Sequence, residues 1–279
     1  MKNAIYPCIW FDGQAKDAAE YYCSVFENSG IIDDTPMVVT FELDGVKFMG
    51  LNGGPTFKPN PAISFYVVLD KEEQVQKAWE RLSDGGMVLM ALDKYDWSEK
   101  YGWVQDRFGV SWQISLGDSR AVGQRFVPLL MYCGEQQGRA AEALQYYTNV
   151  FNPAKTESIV RYEPGQVTLD ATVVHARFRL NNRVFMAMDS AVPQPFTFNE
   201  GVSLVIDCDT QEEIDYYWER LTDGGSESQC GWLKDRFGVS WQVVPTVLAG
   251  LLQDPAKSAR VMQAFMQMKK FNIEQLVNA

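Results

Sequence analysis

Chemistry needs side chains that titrate, attack or ligate, and this chain offers few of them in working patterns. His175 is the only imidazole in 279 residues. It sits in TVVHARFRL, a strand-like segment, and reads as a sheet residue with a satisfied ring. One imidazole cannot serve a Ser-His or Cys-His nucleophile pair in two places, and a histidine metal site would need partners that are missing. The five cysteines, Cys8, Cys23, Cys133, Cys208 and Cys230, share no CxxC spacing. They read as buried reduced thiols, which fits a cytoplasmic protein. No two glycines stand two apart and no Gly-Lys dipeptide occurs, so neither a dinucleotide turn nor a phosphate loop is expected. No cofactor is therefore expected.

What remains is polar and uncharged. Alternate residues of a strand share a face, so Gln113 lies with Ser111 and Ser115 in GVSWQIS, while Trp112 and Ile114 turn toward helices. Ser64 likewise shares a face with Tyr66 and Val68, and Asn52 closes the strand that contains Met49. The pairs Asp106-Arg107 and Asp235-Arg236 invite a catalytic reading, but D-R-F-G before a strand is more simply a structural corner with an ion pair. Trp103 and Trp232 precede those corners by three residues. They either wall a pocket or fill the core.

The elements that must position these residues come in two copies. WERLSDGG at 79–86 returns as WERLTDGG at 218–225, and GWVQDRFGVSWQI at 102–114 returns as GWLKDRFGVSWQV at 231–243. EYYCSVF at 20–26 answers QYYTNVF at 145–151, and VKFMGLN at 46–52 answers RVFMAMD at 183–189. The second copy lacks ten residues after Gly225, where the first carries MVLMALDKYDWSEKY. Residues 5–11, 37–52, 62–69, 109–115 and 238–244 read as strands, with a turn at Asp44-Gly45.

Ala15, Ala18, Ala19, Tyr22, Val25 and Phe26 follow helical spacing. A second helix carries Val75, Ala78, Trp79 and Leu82 inward, and its partner carries Ile214, Tyr217, Trp218 and Leu221. Asp70 with Glu73, and Asp209 with Glu212, have capping-box spacing, and Gly85-Gly86 and Gly224-Gly225 stop the helices. Asp254 and Pro255 open a helical tail whose stripe, Val261, Phe265 and Met268, docks on a domain or on a second chain.

The length allows two cores, and 46% apolar with 22% charged residues is an ordinary globular composition. A net charge of −11 without a basic cluster argues against nucleic acid. The N-terminus does not read as a signal peptide and no stretch approaches a membrane span. A cytoplasmic protein without membrane partners is expected.

A βαβββ unit used four times, with a YY-x-x-VF helix and a DRFG-V-SWQ closing strand, resembles the vicinal oxygen chelate (glyoxalase/bleomycin resistance/dioxygenase) superfamily. PCIWFDG at 7–13, LNGGP at 51–55, AISFYV at 62–67 and CGWLKDRFGVSWQVVP at 230–245 narrow it to the PhnB-like, 3-demethylubiquinone-9 3-methyltransferase-like branch. The resemblance covers nearly the whole chain. It implies an α+β fold of tandem domains, each of two βαβββ units forming a curved, cup-like sheet. The expected boundaries are 1–118 and 127–246 for the domains, 119–126 for the linker and 247–279 for the helical tail. Because the superfamily often pairs domains as dimers, the chain is expected to be a monomer with pseudo-dimeric domains or a homodimer.

Metal-dependent relatives set His, Gln or Glu ligands on the cup floor. Carried over, those positions fall at Pro7, Met49, Ser64 and Gln113, and at Pro128, Met186, Ser203 and Gln242. Proline and methionine do not suit a hard or borderline divalent metal, so no metal is expected. The candidate cup residues are Asn52, Ser64, Tyr66, Trp103, Gln113, Ser203, Trp232 and Gln242. They suit a small neutral or oxygen-rich ligand, or satisfy one another. The expected function is metal-free small-molecule binding. The alternatives are a glyoxalase-type enzyme (lyase, isomerase or dioxygenase) and a scaffold, while the methyltransferase label finds no nucleotide loop to support it.

Overall fold

A computed structural model describes residues 3–279, which fall into two compact units. One comprises residues 7–202; the other takes residues 203–279 with the start of the chain up to Tyr6. The chain runs β1 (Ile5–Phe11), α1 (Ala15–Val25), β2 (Ser29–Asp34), β3 (Val38–Leu43), β4 (Val46–Asn52), β5 (Ile63–Leu69), α2 (Glu72–Ser83), β6 (Met87–Tyr95), β7 (Ser98–Gln105) and β8 (Ser111–Leu116). After α3 (Ser119–Val122) the pattern repeats as β9 (Phe126–Tyr132), α4 (Ala140–Val150), β10 (Ala154–Arg161), β11 (Val173–Leu180) and β12 (Arg183–Asp189). It closes with β13 (Val202–Cys208), α5 (Gln211–Thr222), β14 (Ser226–Glu227), β15 (Trp232–Lys234), β16 (Ser240–Pro245), α6 (Val247–Gln253), α7 (Ser258–Met266) and α8 (Ile273–Val277). Each βαβββ unit expected from the repeat is present. The compact units, however, do not divide where the repeat divides.

The larger unit holds an eight-stranded sheet in the order β10-β11-β12-β9-β5-β8-β7-β6. Two βαβββ units build this cup, as expected, but they come from different copies. The second unit of copy one meets the first unit of copy two through the antiparallel pair β5–β9, with Ser64 opposite Leu129 and Tyr66 opposite Val127. The sheet is strongly concave. Tyr66 on β5 and His175 on β11 are three strand spacings apart, about 14 Å on a flat sheet, yet their ring centroids lie 6.4 Å apart.

The convex side carries the apolar core. Phe65, Trp112 and Phe126 meet Tyr22 and Phe26 of α1, with Trp112 5.0 Å from Tyr22 and 5.5 Å from Phe26. Every apolar position assigned to α1 is buried. Beneath this cluster lies the D-R-F-G corner. Asp106 Oδ1 accepts from the backbone N–H groups of Phe108 (2.8 Å) and Val110 (3.0 Å), and Oδ2 accepts from Tyr22 Oη and Trp112 Nε1, both at 2.8 Å. Burial raises this carboxyl above its ordinary range against the pull of those donors. The ion pair expected at the corner belongs to the next residue, Arg107, at 3.6 Å from an exposed Asp84.

Helix starts differ in detail from the capping-box expectation. Asp70 accepts instead from Ser119 N (2.8 Å), Ser119 Oγ (3.1 Å) and Arg125 (2.8 Å). In copy two the box is shifted by one: Thr210 accepts from Glu213 N, and Glu213 accepts from Asp209 N at 2.8 Å.

In the smaller unit, β14, β15, β16 and β13 lie side by side with α5 packed on them. Asp235 repeats the corner, accepting from Phe237 N, Val239 N and Trp241 Nε1 at 2.9, 3.1 and 2.8 Å. The tail docks on this same unit. Cys230 N and Gly231 N donate to Met268 and Lys269 carbonyls at 2.7 and 2.8 Å. Gly231 has φ +79, and a Cβ there would stand 2.5 Å from the Phe271 ring. At the equivalent Gly102 of copy one, a Cβ would meet Trp79 at 2.5 Å and the Leu92 backbone at 3.1 Å. The tail therefore occupies the place of the ten residues that copy two lacks. Of the expected stripe, Val261 is fully buried and Phe265 meets Phe271. Among the described residues no helix is long and apolar enough to cross a membrane.

Candidate functional site

Strand parity and register assemble the concave face of the larger unit. One row crosses the sheet as Arg177, Met186, Leu129, Ser64, Ser111 and Gln105. A neighbouring row carries Tyr66, Gln113, Trp103 and Met90. At the floor, Gln113 Nε2 donates to Ser64 Oγ at 2.9 Å, and Gln113 Oε1 accepts from Tyr101 Oη at 2.8 Å. Trp103 Nε1 donates to Ser111 Oγ at 2.7 Å. Ser64 and Gln113 are 0% and 3% exposed, so these bonds satisfy groups that water barely reaches.

Above the floor stand Tyr66, Tyr101 and His175. Tyr66 and Tyr101 have ring centroids 6.2 Å apart. Burial pushes both phenols up, for Tyr66 against a hydrogen bond from Ser115, so both stay protonated. Burial lowers the His175 imidazole, and the charge of Arg177 lowers it further. His175 is thus neutral at neutral pH.

Beyond it, Glu157 gathers Arg179 Nε at 2.6 Å and Arg177 Nε at 2.8 Å. The Arg177 contact is an ion pair that lies off the hydrogen-bonding angle. Burial alone would raise Glu157, but Arg179, Arg177 and Lys155 outweigh it and hold the carboxyl below its ordinary range.

Of the expected cup residues in this unit, Ser64, Tyr66, Trp103 and Gln113 are brought together. Asn52 is not. It shares a face with Phe48 and Gly50, opposite to Met49. There its Oδ1 accepts from Ala15 N at 2.9 Å and its Nδ2 donates to the Pro36 carbonyl. It tethers the first turn of α1, as Asp189 does for α4 by accepting from Ala140 N at 2.9 Å. Pro128 also needs correcting. It lies opposite Phe65 on the convex side, and the residue beside Ser64 is Leu129. Tyr101, His175, Arg177 and Glu157 were not foreseen. The spacing of Tyr101 and Trp103 on one strand was the signal available for the first.

The smaller unit repeats the floor with a difference. Gln242 Nε2 donates to Ser203 Oγ at 2.9 Å, and Trp232 stands opposite Gln242 in the register, as Trp103 does opposite Gln113. By alignment on Gly102 and Gly231, Cys230 takes the place of Tyr101. Among the described residues nothing donates to Gln242 Oε1, and the buried Ser240 Oγ has no partner.

A superfamily metal would have to be held by Leu129, Met186, Ser64 and Gln113. Two of these are hydrocarbon or thioether side chains, and the other two bond each other, so the set does not fit such an ion. Among the described residues no three His, Cys, Asp or Glu side chains gather into a metal-binding group. A cleft of about 430 Å³, partly open solvent, lies away from the concave face, between the end of α1 and α2. Its Arg125 is held by Asp44 and Asp70, both at 2.8 Å, which makes it a structural clamp.

The fold is that of known structures. Glyoxalase I from Zea mays superposes with a TM-score of 0.58 at 10% identity, covering 87% of this chain and 93% of that one. A putative 3-demethylubiquinone-9 3-methyltransferase, PhnB protein, from Bacillus cereus is 32% identical over 40% of this chain and 98% of its own, with a TM-score of 0.38. A glyoxalase-related enzyme from Fulvimarina pelagi is 16% identical over 39% of this chain and 86% of its own, with a TM-score of 0.32. No curated protein matches the chain. The family model described as 3-demethylubiquinone-9 3-methyltransferase matches twice, over residues 3–115 and 124–244, and the chain belongs to that family as a tandem member.

Proposed function

We propose that the chain is a metal-free small-molecule-binding protein that holds its ligand over a Ser-Gln floor, of which it carries two, Ser64 with Gln113 and Ser203 with Gln242. Tyr66, Trp103 and Trp232 form the aromatic walls. The observation that carries this reading is the floor itself. Where relatives of the superfamily place ligating side chains, both copies put an amide hydrogen-bonded to a hydroxyl at 2.9 Å. Such a pair orients a polar ligand group inside an apolar site. Methyl transfer is not part of the proposal, since no glycine-rich nucleotide loop supports it.

Native mass spectrometry of untagged protein, purified without chelators, tests the reading. A retained organic molecule without metal is expected, and a stoichiometric metal ion would overturn it. One observation favours a second reading, an enzyme of the glyoxalase superfamily. His175 and Tyr66 form a titratable pair on one concave face, with the imidazole neutral and so able to accept a proton.

A further inference from the structure

The two floors are chemically unequal. In copy one every polar group of the floor is engaged. Gln113 donates to Ser64 and accepts from Tyr101, while Ser111 accepts from Trp103. The rings of Tyr66, Tyr101 and His175 stand above it, with centroids 6.2 and 6.4 Å apart. In copy two Cys230 supplies no phenol, and its backbone N–H is committed to the tail at Met268. Gln242 keeps its bond to Ser203 but presents an amide oxygen to which none of the described residues donates. Ser240, on the same strand face two residues away and 0% exposed, carries a hydroxyl without a partner among the described residues. Leaving a buried polar group unmade costs about 1–3 kcal/mol, and such a vacancy is filled by water or by a ligand.

Resting on the binding function proposed above, we infer that the Ser203–Ser240–Gln242 floor of copy two is the ligand site, and that copy one, whose floor groups bond one another, is its structural counterpart. The chemistry of the vacancy defines the ligand. Gln242 Oε1 can only accept, so the ligand must donate a hydrogen bond to it. Ser240 Oγ can donate or accept, so a ligand group that does either satisfies it. A hydroxyl or a primary amide meets the requirement, and a carboxylate, which only accepts, does not. Trp232 stands opposite Gln242 in the register, so an aromatic side chain borders the site and suits an apolar or aromatic body. The ligand class is a neutral apolar molecule ending in an alcohol or an amide.

The test uses the full chain and two probes of one shape, 2-naphthamide and 2-naphthoate, by isothermal titration calorimetry. The expected result is one naphthamide per chain, bound more tightly than naphthoate. Gln242→Leu should weaken it about tenfold or more. Ser240→Ala should also weaken the probe, yet leave the melting temperature unchanged or raised, because it deletes an unpaired buried hydroxyl. A purely structural serine would not separate those two readouts. Two probes per chain, or full binding by Gln242→Leu, would overturn the assignment to copy two. Tighter binding of naphthoate would overturn the ligand class and point to Lys234, which stands opposite Ser240. No binding of either probe by a protein that also retains no organic molecule would overturn the proposed function itself.

Discussion

Replacing Asp106 by asparagine tests whether the D-R-F-G corner is structural. The carboxylate takes four donors, two on each oxygen at 2.8 to 3.0 Å. An amide of the same shape has one accepting oxygen. If that oxygen stays with the Phe108 and Val110 N–H groups, the new NH2 faces Tyr22 and Trp112. The tyrosine hydroxyl can rotate and accept, but the indole N–H can only donate and is left buried against a donor. That orphan costs about 1–3 kcal/mol, and losing the charge weakens the two backbone bonds as well. Against this, the neutral side chain regains part of the desolvation that raises the carboxyl. The net loss is about 2–4 kcal/mol, a large fraction of the roughly 5–15 kcal/mol that holds a domain folded. In urea, with a slope near 1–3 kcal/mol per molar, the midpoint should fall by about 1–2 M. Urea titration followed by far-UV circular dichroism, fitted with two transitions, reads it. A midpoint within 0.2 M of wild type, about a tenth of the slope-limited shift, would refute the structural reading.

Three other outcomes follow from the same geometry. Gly102→Ala should destabilise the larger unit by about 1–3 kcal/mol, since its methyl would meet the Trp79 ring at 2.5 Å and overpacking costs that much; thermal unfolding checks it. Removing residues 268–279 should expose the Gly231 edge and make the smaller unit the first to be cut in limited proteolysis, with the larger unit's fragment persisting. His175 has a folded pKa below its ordinary value of 6.5, so just below pH 6.5 the unfolded chain holds a proton that the folded chain lacks. Stability should therefore rise with pH through that window and level off above it, and His175→Gln should remove this part of the slope in a series of urea titrations.

Much of this was legible because strand parity is a local rule. Ser64 with Tyr66, and Gln113 with Ser111, share a face by period two, and the register then places both pairs side by side. The D-R-F-G corner was recognisable as structural, though not the four donors on Asp106, one of which, Tyr22, lies far away along the chain. Asn52 was misplaced because a residue at the end of a strand can turn to the next helix, and the N–H of Ala15 competes for its side chain. Tyr101 escaped notice because its counterpart in copy two is Cys230, so the repeat does not mark a phenol at that place. His175 reached the site only through sheet curvature, a property that no window of sequence reports. The partner of β5 is equally non-local. Nothing within the first copy states that its fifth strand will pair with the ninth.

That last pairing puts the gene's unit and the folded unit half a repeat out of phase. A scissor placed in the linker after Leu116 would divide the sequence cleanly and the larger sheet through its centre, leaving β5 and β9 as raw edges with unpaired backbone groups. Either half expressed alone should seek another strand for that edge, and a second copy of itself is the nearest match.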